Sequence, residues 1–286
     1  MAVITPDPVP AVSRRRELGL SSARSLLLTV LGEHVLPADE PVWTGTLVSA
    51  LSLLGVAEKA ARQALARTAA EGWIGSSRHG RLAQWRLSAA GRRLLTDGAR
   101  RIYSFGQGGP AWDGRWLIVL VSAPDLSSKT RHRIRTRLAW AGLGALSGGV
   151  WVSPDPRREA EASRILDELG LADAGLSFVA SFGGIGAQAD IVAQAWDLRE
   201  LERRYQEFIA AFGPPEPGGD EETFIAQTTL VHEWRRFPFL DPGLPRDLLP
   251  AGWPGAEAAA LFRSRHSQWH PAAARCWTQL ATGQGP

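Results

Sequence analysis

The chain has 286 residues, of which 44% are hydrophobic, enough for two domains or three small ones with real cores. It holds 32 Arg and Lys against 29 Asp and Glu, and a single cysteine, Cys276. That excludes an intramolecular disulfide and a cysteine-cluster metal site. The longest apolar run, 116–121, is far too short to cross a membrane, and the first residues lack a charged start followed by a long apolar core. The expectation is a cytoplasmic protein with no membrane partner.

Charge is uneven along the chain. Residues 1–102 carry 14 Arg or Lys against 8 Asp or Glu, while the remainder carries 18 against 21. Positive charge gathered in one segment suits a polyanionic partner.

In chain order, 1–20 is rich in proline and charge and reads as a disordered arm, with Arg14, Arg15 and Arg16 as a basic cluster. Ser21 or Ser22 is placed to cap a helix reaching 36. A second helix is expected over 44–53, with Thr44 and Thr46 as hydroxyl acceptors for its first turn and Gly55 ending it. A third follows over 56–70. Ala61, Leu65 and Ala69 repeat on its packing side, and Lys59, Arg62, Gln63 and Ala66 share the other. Small residues for close approach, Arg and Gln for base edges and Lys for phosphates are what a major-groove helix needs. A basic hairpin is expected next, with strands at 73–76 and 84–87 and Arg78, His79, Gly80 and Arg81 at its tip. Ser88 is placed to cap a helix to 103. Residues 21–104 therefore outline a winged helix-turn-helix domain, and 105–111, with three glycines and a proline, a linker.

The pattern then changes. A buried strand at 116–121, a helix over 127–141, a hairpin around Gly148 and Gly149, a helix over 157–169 and a strand at 176–182 give the order βαββαβ, that of a ferredoxin-like domain over 112–190. From 196 to 286 the chain reads as mostly helical, with candidates at 197–212, 221–237 and 256–280 separated by proline-rich connections. The fold class is α+β.

Quoted in order, several short motifs carry a resemblance. They are Ala23-Arg24-Ser25-Leu26, Leu54-Gly55-Val56, Glu71-Gly72-Trp73 and Trp112-Asp113-Gly114-Arg115-Trp116. Gly148-Gly149-Val150-Trp151-Val152-Ser153-Pro154, Trp196-Asp197-Leu198, His232-Glu233-Trp234-Arg235 and Asp241-Pro242-Gly243-Leu244-Pro245 follow. Each is weak, but their joint order is specific: the chain resembles the PaaX-type transcriptional repressors over nearly its whole length. The resemblance implies an N-terminal winged helix, a middle domain related to Cas2 nucleases and a helical C-terminal domain. It further implies a homodimer that represses catabolic genes from an operator in double-stranded DNA and lets go when an acyl-coenzyme A such as phenylacetyl-coenzyme A binds.

The candidate DNA-contacting residues are Lys59, Arg62, Gln63 and Arg67 on the helix, and Arg78 and Arg81 on the hairpin. Arg62 and Gln63 are expected nearest the bases and the others nearer phosphates. For an effector, Arg131 and Arg135 form one of two like-charged i,i+4 pairs on a basic helix, and Trp196, Tyr205, His232 and Arg235 are candidates to line an apolar pocket with few polar groups. No cofactor or metal is expected: His266 and His270 have i,i+4 spacing without further ligands nearby. The chain has no phosphate loop, serine elbow or placed cysteine nucleophile, so no enzyme is expected. The competing readings are a Cas2-like metal-dependent nuclease, for which Asp125 is the one carboxylate close to the end of the 116–121 strand, and a DNA-binding regulator without a small-molecule effector.

Overall fold

In the computed structural model, residues 22–108, 111–122, 126–213 and 216–283 are described. The expected N-terminal arm with Arg14, Arg15 and Arg16, and Asp125, lie outside them. The described residues cluster into two compact units: 22–104 with 216–236 and 261–283, and 105–213 with 237–260. The stretch 196–286 thus contributes to both.

The first unit begins with helix α1, Ala23–Val30, whose start is fixed by the Ser25 N–H donating to Ser22 Oγ at 3.1 Å. The helix then widens into one π turn, Leu31–Val35, closed by Leu36 N–H donating to the Leu31 carbonyl at 2.8 Å. A short strand β1, Val42–Trp43, precedes helix α2, Thr44–Leu53. Gly55, at φ 78°, reverses the chain, with its N–H on the Ser52 carbonyl and the Val56 N–H on that of Leu51. Helix α3, Glu58–Ala70, follows directly. Strands β2, Ile74–His79, and β3, Leu82–Leu87, pair antiparallel, and β1 adds to the free edge of β3, giving the order β1-β3-β2. The two strands are longer than the sequence reading, so Arg78 lies in β2 and only Gly80 (φ 61°) and Arg81 remain between the paired ends His79 and Leu82. Helix α4, Ala89–Ser104, is started by Ser88 as expected, its Oγ accepting from the Gly91 N–H. Gly91 is required there, because a Cβ would sit 1.9 Å from the Trp73 carbonyl oxygen.

Leu27, Val30, Leu47, Leu51, Ala61 and Leu65 form the centre of this unit's core, each nearly fully buried. Phe224, Ala273 and Cys276 from the later helices belong to the same cluster.

In the second unit, strands β4 (Arg115–Val121), β5 (Gly144–Ser147), β6 (Val150–Ser153) and β7 (Gly175–Ser181) form an antiparallel sheet in the order β5-β6-β4-β7. With helices α5 (Ser128–Trp140) and α6 (Glu159–Glu168) in the crossovers, this is the ferredoxin-like arrangement. Period-two alternation gives β4 two apolar faces. Leu117 and Val119 pack with Ile134 and Leu138 of α5 and Ile165 of α6. Trp116 packs on the other side with Val192 and Leu244. Val192 sits on helix α7, Gln188–Ala195, which the sequence reading did not contain. Helix α8, Leu198–Phe212, completes this unit's long elements.

Helices α9, Asp220–Trp234, and α10, Gly255–Thr282, are the remaining long ones. Pro271 lies inside α10, which continues through it.

Candidate nucleic-acid interface

Helix α3 is amphipathic by side-chain size and charge. Ala61, Ala64, Leu65 and Thr68 are buried, while Lys59, Arg62, Gln63, Ala66 and Arg67 are exposed. All four expected contact residues of this helix therefore point away from the core. Arg62 Nε donates to Glu58 Oε1 at 2.8 Å, but both side chains are more than half exposed (58% and 64%). An ion pair so wet holds its arginine weakly, so the guanidinium is available for exchange onto another acceptor. Among the described residues, no carboxylate pairs with Lys59, Arg67, Arg78 or Arg81. The hairpin β2–β3 projects from the core: Ile74 and Leu87 at its base are buried, while Arg78, His79, Gly80 and Arg81 at its far end are exposed.

What fixes this geometry differs from the expected capping. Helix α2 starts without a side-chain cap. The Thr44 hydroxyl instead donates to the Ala83 carbonyl at 3.0 Å and accepts from Trp85 Nε1 at 2.9 Å, tying the helix to the hairpin. The Thr46 hydroxyl is buried and reaches the Leu280 carbonyl at 3.4 Å. Hydroxyls of this kind satisfy whichever neighbour folding brings, and strand β1 occupies the position a cap would need. Arg24 holds the far end of α3, pairing with Glu71 and lying 4.8 Å above the Trp73 ring.

The six effector candidates are dispersed. Arg131 and Arg135 are exposed on α5. Trp196 packs in the apolar cluster with Trp116 and Val192, beside Gly144, where a Cβ would meet its ring at 2.6 Å. Tyr205 is buried, stacked 4.2 Å from Phe237, and donates to Asp241 Oδ2 at 2.6 Å. Burial pushes both the phenol and that carboxyl upward in pKa. In the first unit, His232 Nδ1 lies 3.1 Å from the Thr29 hydroxyl, and Arg235 Nη2 donates to Ser25 Oγ at 2.6 Å. These two dock α9 on α1; they are not brought together with the other four within either unit.

A polar cluster around the buried Glu33 carboxylate escaped the sequence reading. Glu33, in the π turn, accepts from the Tyr103 hydroxyl, faces His266 Nε2 at 2.9 Å and lies 3.4 Å from Gln227 Nε2. Gln227 also approaches His270 Nδ1 at 3.4 Å. Burial alone would raise the Glu33 carboxyl, but the hydrogen bond and charge of His266, with the Tyr103 hydroxyl, hold it below its ordinary value. The i,i+4 spacing of His266 and His270 was the one visible signal, and its use here is hydrogen bonding. Among the described residues, no group of three or more His, Cys, Asp or Glu is arranged to hold a metal. Next to Glu33, His34 is stacked between Phe224 and Trp277 (5.0 and 5.2 Å), and burial lowers its imidazole to about 4.

The fold and the exposed basic helix define a class: a winged helix-turn-helix protein carrying a ferredoxin-like domain. Comparison narrows it. Three family profiles match in succession, the PaaX-like protein over 22–91, the PaaX protein central Cas2-like domain over 109–192 and the PaaX-like protein C-terminal domain over 196–279. The Transcriptional repressor PaaX of Escherichia coli (strain K12) is 35% identical over 263 residues, 88% of this chain and 82% of that protein. Among solved structures, the uncharacterized protein Rv0674 from Mycobacterium tuberculosis is similar, at 26% identity with a TM-score of 0.60, covering 91% of this chain and 98% of that one. The chain belongs to the PaaX family.

Proposed function

We propose that the chain is a DNA-binding transcriptional repressor of a catabolic operon, acting in the cytoplasm without enzymatic activity. The observation that carries this reading is the exposed cationic side of α3 beside the projecting basic hairpin, with its opposite side anchored in the core. Arg62 and Gln63 read base edges, while Lys59, Arg67, Arg78 and Arg81 hold phosphates. A homodimer presents two such helices to a palindromic operator. The relative named as a repressor, together with the match over 22–91, supports this reading.

In a gel-shift titration against the chain's own upstream region, Arg62→Ala weakens specific binding by about 1–3 kcal/mol, and Lys59→Ala weakens all duplexes alike. Unchanged operator affinity in Arg62→Ala removes that residue from the interface. Release follows binding of an acyl-coenzyme A, which acts only through unequal affinity for two conformations. A thermal-shift screen against phenylacetyl-coenzyme A and related thioesters tests this, since saturation at about 100 times the dissociation constant adds about 2.7 kcal/mol. No shift with any thioester makes the protein a regulator without such an effector.

A further inference from the structure

On two helices of the second unit, most arginines are matched by carboxylates of their own helix; Arg199, exposed on α8, is the exception. Arg164 pairs with Glu161 and Glu168 on α6, and Arg203 pairs with Glu200 and Glu207 on α8, where Arg204 also reaches Glu200. Helix α5 departs from this. Ser128–Trp140 reads SKTRHRIRTRLAW, with Lys129, Arg131, Arg133, Arg135 and Arg137 and no acidic residue. Arg137 alone reaches a carboxylate, Glu168 of α6. Lys129, Arg131, Arg133 and Arg135 are exposed, with no ion-pair partner among the described residues.

This arrangement costs the isolated helix free energy. Lys129/Arg133 and Arg131/Arg135 are like charges one turn apart. Lys129 also stands in the first turn, where the aligned peptide dipoles already present positive charge. Ile134 and Leu138 fix the packing stripe. Helical geometry therefore sends Arg131 and Arg135 to one flank of the exposed arc and Lys129 and Arg133 to the other.

We infer that the exposed arc of α5 is a second contact surface for duplex DNA, binding the phosphate backbone independently of sequence; this rests on the DNA-binding reading above. Four open cations on two flanks suit a continuous polyanion better than one compact phosphate group. The arc's exposed side chains are Ser128, Lys129, Arg131, His132, Arg133, Arg135 and Ala139. None is the Asn or Gln that reads adenine, and none is a large apolar group that inserts into a bilayer. The chemistry that all four cations share is attraction to phosphates, which positions a duplex without reading it.

The test uses the full chain and a variant combining Lys129→Gln, Arg131→Gln, Arg133→Gln and Arg135→Gln. A charge-matched control combines Arg164→Gln, Arg199→Gln, Arg203→Gln and Arg204→Gln. Affinity for an unrelated-sequence duplex is titrated against salt. The salt slope of the α5 variant falls by about 0.9 for each phosphate that is no longer neutralised, and its affinity at about 0.1 M salt falls at least about tenfold. The control keeps the wild-type slope, and the α5 variant keeps or raises the wild-type melting temperature.

If wild type and α5 variant bind DNA with the same slope, α5 is a solvated face and the inference fails while the repressor reading stands. If the control's slope falls as far, the effect is net charge and the inference again fails. Wild-type protein that binds no duplex sinks both. Free coenzyme A is titrated in parallel by thermal shift. An α5 variant that no longer responds to coenzyme A but keeps its DNA salt slope assigns these cations to a small phosphate ligand and overturns the inference.

Discussion

The two units differ in how far buried polar contacts supplement apolar packing. In the second, a four-stranded sheet buries apolar side chains on both faces: Leu117 and Val119 beneath α5 and α6, Trp116 and Val152 on the other side. Most of its charges stay at the surface as short-range ion pairs, the buried Tyr205–Asp241 contact being an exception. In the first, apolar packing is interrupted by buried polar groups that join distant parts of the chain: Glu33 to Tyr103 and His266, Thr29 to His232, Ser25 to Arg235. Apolar contact is non-directional and tolerates sliding, whereas a buried carboxylate or imidazole is stable only in one arrangement of partners. The unit that carries α3, the helix proposed to contact DNA, is thus the one that relies more on directional bonds to set its helices.

That contrast can be broken by substitution. Leu117→Ala, at a fully buried position of the sheet, costs about 3–4 kcal/mol through the apolar burial it removes and the cavity left behind. Denaturant melting measures it, and a destabilisation below about 1 kcal/mol denies the sheet its dependence on close packing. Glu33→Gln keeps the shape but leaves the Tyr103 and His266 donors competing for one carbonyl. It costs about 2–3 kcal/mol by the same measurement. A melt indistinguishable from wild type shows that the buried cluster sets no register.

The smallest effect sharpens the comparison through pH. Burial lowers the His34 and His232 imidazoles to about 4, with the nearby Arg235 and Arg236 charges adding to the shift at His232. The unfolded chain takes up these protons near pH 6.5, so the stabilisation is complete above about 6.5 and is lost as pH falls towards 4. Between pH 7 and pH 5 each imidazole removes about 2 kcal/mol. His232→Gln, which retains a partner for Thr29, shrinks that loss by about half. An equal loss in variant and wild type separates the pH response from His232.

The winged-helix outline was legible because its signals are local. The spacing of Ala61 and Leu65, Gly55 at a positive φ and Ser88 at the start of α4 each report on neighbours within a turn. The exposed set Lys59, Arg62, Gln63 and Arg67 followed from the same periodicity, and β4 from its apolar run. Thr44 and Thr46 were misread because a hydroxyl's partner is decided by what comes near, here a hairpin carbonyl and the end of α10. Helix α7 was missed because its sequence is short, mixed and preceded by glycines. His232 and Arg235 were read as pocket-lining because a polar group has the same appearance in sequence whether it meets a ligand or, as here, the hydroxyls of Thr29 and Ser25, more than two hundred positions away.

By itself, the sequence determined most of the helices and strands, though not β1 or α7, the apolar side of α3, and that α5 carries cations without acidic neighbours. These depend on residue type and on the repeat of the backbone. Only the tertiary structure decided that Glu33 would be shared by Tyr103 and His266, that Tyr205 would donate to Asp241, and that Lys129, Arg131, Arg133 and Arg135 of α5 would meet no carboxylate among the described residues. Burial and pairing are properties of what the folded chain brings to a side chain, and nothing within a few residues of it specifies them.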